Sequence, residues 1–180
     1  MRILDACCGS RMFWYDKHDP RTTFMDKRRY HERLTTGHII DVDPDIRADF
    51  TAMPFNDESF DLVVFDPPHL IHAGEQSWLR KKYGVLNAKT WPTVIHDGFW
   101  ECQRVLKPNG VLVFKWNEEQ ITFSDVLHAI GCQPLFGDKR GKTRWNVFAK
   151  EHSNELTLFT SPVKGEGGEA ILTNNHHGLV

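Results

Sequence analysis

Nowhere in its 180 residues does the sequence approach the roughly 18 consecutive apolar residues that a membrane span needs. The first ten residues, MRILDACCGS, lack the basic start and apolar core of a secretory signal. No membrane partner is expected, and a cytoplasmic location is. Cysteine is scarce, at Cys7, Cys8, Cys102 and Cys132, which points to a reducing compartment. Adjacent Cys7 and Cys8 lack C-x-x-C spacing. The close histidine pairs, His69 with His72 and His176 with His177, have no cysteine or acid at finger spacing, so no metal is expected. Neither sign of charge dominates: 22 Lys+Arg stand against 24 Asp+Glu, a formal net charge of -2. That balance excludes a simple polycationic coat for nucleic acid but leaves room for a basic face. Internal repeats, heptads and low-complexity tracts are absent.

What is present suffices for one domain with a core, since 40% of residues are hydrophobic and 12% aromatic. Short apolar runs that read as strands lie at residues 2–6, 22–26, 46–50 and 60–66. The last is the clearest: Phe60-Asp61-Leu62-Val63-Val64-Phe65-Asp66 is apolar through its middle, as a strand covered on both faces should be, and Pro67-Pro68 ends it. Lys27 to Arg33 reads as a surface helix or loop, and Met12 to Tyr15 as helix core. Residues 70–90 read as a long loop with about one helical turn, a length often tied to function. Thr90 to Leu106 fits a helix with Thr90 as N-cap and Pro92 in its first turn. Pro108-Asn109-Gly110 then turns into a strand over 111–116, and Ile121 to Ile130 fits a second helix, stopped by Gly131. Two late strands around Gly137 to Thr143 suggest a hairpin. The pattern implies an α/β fold over residues 1–150, doubly wound and mostly parallel, with helices on both faces and a C-terminal antiparallel hairpin. Residues 151–180 read as an appended tail.

Each early strand runs into an acid: Asp5, Asp26, Asp49 and Asp66. In an open α/β sheet, ligands bind beyond the carboxyl ends of the strands. Four carboxylates on one rim repel phosphate and suit a ligand with hydroxyls, an amino group or a positive charge. The turn after the first strand holds only Gly9, not the G-x-G-x-x-G that admits a pyrophosphate. A nucleoside with a cationic tail fits better, and S-adenosylmethionine is one.

Several segments carry a resemblance to the class I S-adenosylmethionine-dependent methyltransferases, over roughly residues 1 to 150. Ile3-Leu4-Asp5-Ala6-Cys7-Cys8-Gly9-Ser10 resembles the family's first motif, in the form found in amino-methyltransferases of DNA. Asp26 matches the acid that holds the ribose hydroxyls. Ala48-Asp49-Phe50 matches the segment whose acid and apolar residue read the adenine. Asp66-Pro67-Pro68-His69 resembles the [D/N/S]-P-P-[aromatic] motif of enzymes that methylate exocyclic or amide nitrogens. Leu106-Lys107-Pro108-Asn109-Gly110 matches the turn before the fifth strand. Two positions depart from the pattern. Arg11 stands where the family usually has another glycine, which implies a wider turn or a guanidinium aimed at the ligand. His69 replaces the usual Tyr, Phe or Trp.

The resemblance implies a Rossmann-like fold, S-adenosylmethionine as cofactor and methyl transfer to a nitrogen, first of all adenine N6 or cytosine N4 of DNA. RNA, a protein amide or a small molecule is the alternative acceptor, and a non-catalytic cofactor-binding subunit is a further one. Cofactor contacts are expected from Asp5, Ala6, Cys7, Gly9, Ser10, Asp26, Lys27, Asp49, Phe50 and Asp66. Catalysis is expected at Asp66, Pro67, Pro68 and His69. There a carboxylate and a carbonyl can accept both N–H hydrogens of an aromatic amine and so localise its lone pair. His69 would stack on the base or take a proton. Nucleic acid is the expected partner, DNA ahead of RNA, met by Arg80, Lys81, Lys82 and Tyr83 and by Lys139, Arg140 and Lys142 of the hairpin. The bland reading of both groups is a solvated loop. The chain is expected to be a monomer or a small homo-oligomer.

Overall fold

The buried run that ends at Pro67 sits at the centre of the sheet. In a computed structural model, which describes residues 1–151, it is β6 (Phe60–Phe65). It pairs in parallel with β1 (Ile3–Asp5) on one side and β7 (Leu106–Asn117) on the other. β2 (Thr22–Asp26) and the short β5 (Ile46–Arg47) extend the sheet beyond β1, again in parallel. β9 (Thr143–Ala149) pairs antiparallel with β7, and β8 (Phe136–Arg140) forms the far edge. The order is β5-β2-β1-β6-β7-β9-β8. This is the doubly wound, mostly parallel sheet with a terminal antiparallel hairpin that the sequence implies. The tail expected from residue 151 lies outside the described residues.

Strand periodicity decides which side chains form the core. Leu4, Met25, Val63, Phe65, Leu112, Phe114, Trp116 and Phe148 share one face. Onto it pack Ile95, Phe99, Cys102 and Val105 of α2 (Trp91–Val105) and Phe123, Val126 and Ile130 of α3 (Phe123–Ile130). Helices were expected on both faces; among the described residues these two lie together on one. The other face is crossed by the β1–β2 connection, which is turns and bends rather than the helix core expected at Met12 to Tyr15. Two aromatic rings hold that loop down: Trp14 packs edge-on against Phe24 and Phe13 against Trp145, with ring centroids 5.2 and 5.4 Å apart. Arg11 takes the left-handed φ of 52° usually left to glycine. Its guanidinium lies 3.9 Å over the Phe24 ring and donates to the carbonyls of Lys17 and Asp43, so it ties the loop down and is not aimed at a ligand.

Other local expectations change. The polar stretch expected as a helix or loop forms β3 (Tyr30–Arg33), paired antiparallel with β4 (Ile39–Val42). Exposure alternates along both strands with period two, but charged Glu32 falls on the inward side and apolar Ile39 on the outward side, so hydrophobicity alone hides the pattern. The third strand is shorter than 46–50, and Asp49 sits in the turn beyond it. Thr90 precedes α2 without a side-chain capping bond, while Pro92 does sit in its first turn. Thr122 does cap α3, accepting from the Asp125 N–H, and Gly131 closes it in the left-handed conformation. Pro108-Asn109-Gly110 lies inside β7 as a bulge, between the pairs Phe60 with Leu106 and Leu62 with Val111.

Gly98 of α2 sets how closely that helix approaches the sheet. A Cβ there would stand 2.5 Å from Phe50 Cδ2 and 2.9 Å from Phe65 Cζ. Phe50 and Phe65 pack edge-on, so neither ring can retreat freely. Gly98→Ala gains about 1 kcal/mol of helix propensity but overpacks this contact, at a cost of about 1–3 kcal/mol. We expect a lower thermal midpoint by scanning calorimetry; an unchanged or higher midpoint would show that the contact yields.

Candidate active site

Chain direction reverses between β1 and β6. From β1 the chain builds leftward to β2 and β5, then returns to β6 and builds rightward. Loops leaving the carboxyl ends of β1 and β6 therefore part, and a crevice opens between them. It holds a cavity of about 460 Å³, a size that suits one small molecule. The turn Cys7–Ser10 forms one wall. Asp26 and Phe50 form a second, and Asp66, Pro67 and Pro68 a third.

Gly9 adopts φ +48°, and no atom lies within 4 Å of where its Cβ would be, so the turn presents bare backbone to open space. Its N–H donates to Asp26 Oδ2 at 3.0 Å, which fixes the turn to the end of β2. Asp26 is only 5% exposed and is also held by Arg28, through N–H at 2.9 Å and Nε at 3.1 Å to Oδ1, with Nη2 at 3.4 Å from Oδ2. Asp5 is fully buried. It accepts from Trp14 Nε1 at 2.7 Å and from the Cys7 N–H at 3.2 Å. Burial, with the nearby carboxylates of Asp66 and Asp26 adding to it, pushes its pKa up to about 7 against those two hydrogen bonds.

Across the cavity, Asp66 Oδ2 accepts from Lys115 Nζ at 2.5 Å, with both side chains mostly buried. Burial raises the Asp66 pKa and Lys115 opposes it. Lys115 comes from β7 and lies between the rings of Phe13 and Trp145, 5.7 Å from each centroid. His69 does not reach the cavity. It is buried between Tyr83 and Trp116, with centroids 5.2 and 6.3 Å away, and burial lowers its pKa to about 4. Tyr83, which His69 backs, lines the cavity together with the rings of Phe13 and Phe50.

Solved structures share this arrangement of strands. The chain is similar to the PH0226 protein of Pyrococcus horikoshii OT3, at 15% identity over 83% of this chain and 82% of that one, with a TM-score of 0.53. It is also similar to a chain of the Haloferax volcanii complex between the Trm112 methyltransferase activator and a methyltransferase, at 16% identity over 84% and 83%, with a TM-score of 0.52. The likeness is one of fold. No protein-family model matches the chain, and no curated protein does.

The expected site residues divide. Cys7, Gly9, Ser10, Asp26, Lys27, Phe50, Asp66, Pro67, Pro68, Lys82 and Tyr83 meet at the cavity. Asp5 and Ala6 lie beneath the turn and do not line it; Asp5 shapes the turn from below. Asp49 pairs instead with Lys27 at 2.7 Å and holds Thr51. Arg80 is exposed and bonds the Ala73 carbonyl, and Lys81 pairs with Glu32 at 2.6 Å, outside this cavity. Lys139, Arg140 and Lys142 pair with Glu118, Asp138 and Glu119, so their charge is compensated locally. The rim is also less acidic than four strand-end acids imply. The lining carboxylates are Asp26 and Asp66, while Lys27, Arg28, Lys82 and Lys115 bring four cations. The expectation that the rim repels phosphate is therefore corrected. Arg28 and Lys115 are the functional positions that sequence reasoning missed. A lysine within the apolar run Val111-Leu112-Val113-Phe114-Lys115-Trp116 was the available signal.

Asp5 makes fold stability depend on pH. An acid with a raised native pKa carries no penalty below its ordinary value of 3.8, and the penalty grows until pH passes about 7. Asp5→Asn removes that titration. The urea midpoint of the variant relative to the parent should climb from about pH 4 to pH 7 and level off above. A difference that stays flat with pH would mean that Asp5 is not held as described.

Proposed function

We propose that the chain transfers a methyl group from S-adenosylmethionine to a nitrogen, first of all the exocyclic amine of a nucleic-acid base, adenine N6 or cytosine N4 of DNA. One observation carries the reading: the bare-backbone Gly9 turn, the buried acid Asp26 and the Asp66-Pro67-Pro68 corner open into a single chamber. The donor set suits the cofactor. Asp26 keeps one loosely filled site, the 3.4 Å contact to Arg28, where a hydroxyl can bind. Phe50 supplies an apolar wall, and Cys7 to Ser10 admit close approach. One of the two similar structures is of a complex that contains a methyltransferase. When bound, the cofactor supplies a methyl carbon made electrophilic by its sulfonium.

The residues of the chain supply alignment and charge. Pro67 and Pro68 fix the backbone after β6, so the Pro67 carbonyl holds one direction. Lys115 engages Asp66 Oδ2 and leaves Oδ1 to accept an N–H from the acceptor amine. As the nitrogen gains positive charge, the buried carboxylate stabilises it, and Asp66 can then take the proton that the product releases. Burial raises the Asp66 pKa, and the Lys115 ammonium opposes that rise and so favours the carboxylate that the task needs. Tyr83, not His69, presents a ring to the acceptor. His69 stays neutral near pH 7 and props Tyr83 in place.

The direct test is transfer of tritiated methyl to DNA and to RNA, followed by digestion to nucleosides and mass spectrometry. Label on N6-methyladenine or N4-methylcytosine is expected, and Asp66→Ala should lower turnover about 100-fold or more. Label on neither nucleic acid would overturn the acceptor class. Lys115→Met probes the ion pair separately. With the lysine gone, the Asp66 pKa rises further, so the acid limb of the kcat/KM profile should move to higher pH; an unmoved limb would contradict the role of Lys115.

A further inference from the structure

A second cavity, about 790 Å³, lies between the β3–β4 hairpin and α1 (Trp78–Tyr83). It adjoins the first, and Lys82 lines both. The Lys82 ammonium lies 5.0 Å from the Tyr83 ring, which faces the catalytic chamber, and 5.4 Å from the Trp78 ring, which lines the second cavity. The order across the wall is thus aromatic ring, cation, aromatic ring. Lys82 carries no ion pair among the described residues, whereas its neighbour Lys81 is spent on Glu32, the one acid lining the second cavity. Trp78 is 49% exposed, much for an indole. Thr35, Thr36, Ser77 and Gln76 add donors and acceptors around it.

This wall is held firmly. Arg28, while bonded to Asp26, donates to the carbonyls of Lys81 and Lys82 at 3.2 and 3.4 Å. The Tyr30 hydroxyl donates to the Lys81 carbonyl as well. Gly84, at φ +78°, lets the chain turn so tightly that a Cβ there would stand 3.3 Å from Pro68 Cγ. The element carrying Trp78, Lys82 and Tyr83 is therefore fixed both to the cofactor side and to the diproline corner.

We propose that the second cavity is a subsite for the nucleotide next to the one being methylated, so that the substrate is a single strand and not a free nucleoside. One base enters the chamber at Tyr83, its neighbour stacks on Trp78, and the phosphodiester between them sits on Lys82. Stacking needs only a π-face and the ammonium needs only a phosphate, so the subsite tolerates different neighbouring bases. The inference rests on the methyl-transfer reading above and deepens it.

The test is fluorescence anisotropy with a labelled single-stranded DNA of about ten nucleotides, in a salt series, with RNA of the same sequence in parallel. Calorimetry with S-adenosylhomocysteine on the unmodified protein reports the cofactor site independently. The strand should bind, and more weakly as salt rises. Trp78→Ala should weaken it about tenfold, with most of the affinity returning in Trp78→Phe. Lys82→Gln should lower the salt slope by about one phosphate contact. Strand binding unaffected by either variant, or a free nucleoside methylated as well as the strand, would overturn the subsite. Binding of the thioether without binding of any strand would overturn it too, yet leave methyl transfer standing. Binding of neither would remove both.

Discussion

One buried carboxylate organises this rim. Asp26 receives the N–H of Gly9 from the first turn and the backbone and side chain of Arg28 from its own strand's exit. Arg28 in turn reaches the carbonyls at the end of α1. A single acid therefore connects the Gly9 turn, the hairpin and the wall between the two cavities. Removing one partner of such a buried pair leaves a charge without compensation, which typically costs about 3–5 kcal/mol. The same bonds leave one weak contact on Asp26, at 3.4 Å to Arg28 Nη2, and Asp26 lines the chamber.

The second organising pair, Asp66 with Lys115, alters what the diproline corner can do. A carboxylate alone in that place would drift toward protonation on burial. The Lys115 ammonium, 2.5 Å from Oδ2, opposes that drift and engages one of its two oxygens. The lysine is held by two rings, Phe13 and Trp145, which also anchor the β1–β2 loop across the sheet face opposite α2 and α3. The loop that replaces a helix there thus contributes to the site as well as to the fold.

The sheet was legible from the sequence because its strands are short apolar runs closed by acids or prolines, and because Pro92 and Gly131 mark helix ends. The turn at Gly9, Asp26 and the Asp66-Pro67-Pro68 corner were legible for the same reason: strand ends in such a sheet converge. What stayed hidden depends on distant pairings. Lys115 meets Asp66 from 49 residues away; a lysine inside an apolar strand marks the position but not its partner. Arg28 looked like one cation among Lys27, Arg28 and Arg29, until the fold showed that its partner is two residues back and its second contact lies on α1. The hairpin Tyr30 to Val42 escaped because charged Glu32 lies on its inward side and apolar Ile39 on its outward side, which breaks the expected alternation. Counting strand-end acids overstated the negative charge of the rim, since lysines and arginines from other elements fold in beside them.

Asp26 is the shared anchor of turn and wall, and on the proposed reading of the cofactor's hydroxyls as well. Isothermal titration of S-adenosylhomocysteine into the parent protein and into Asp26→Ala tests it directly. The parent should bind with measurable heat, and the variant should lose about tenfold or more in affinity, the scale of a charge-assisted hydrogen bond. No heat from the parent, or equal affinity in both proteins, would contradict the account.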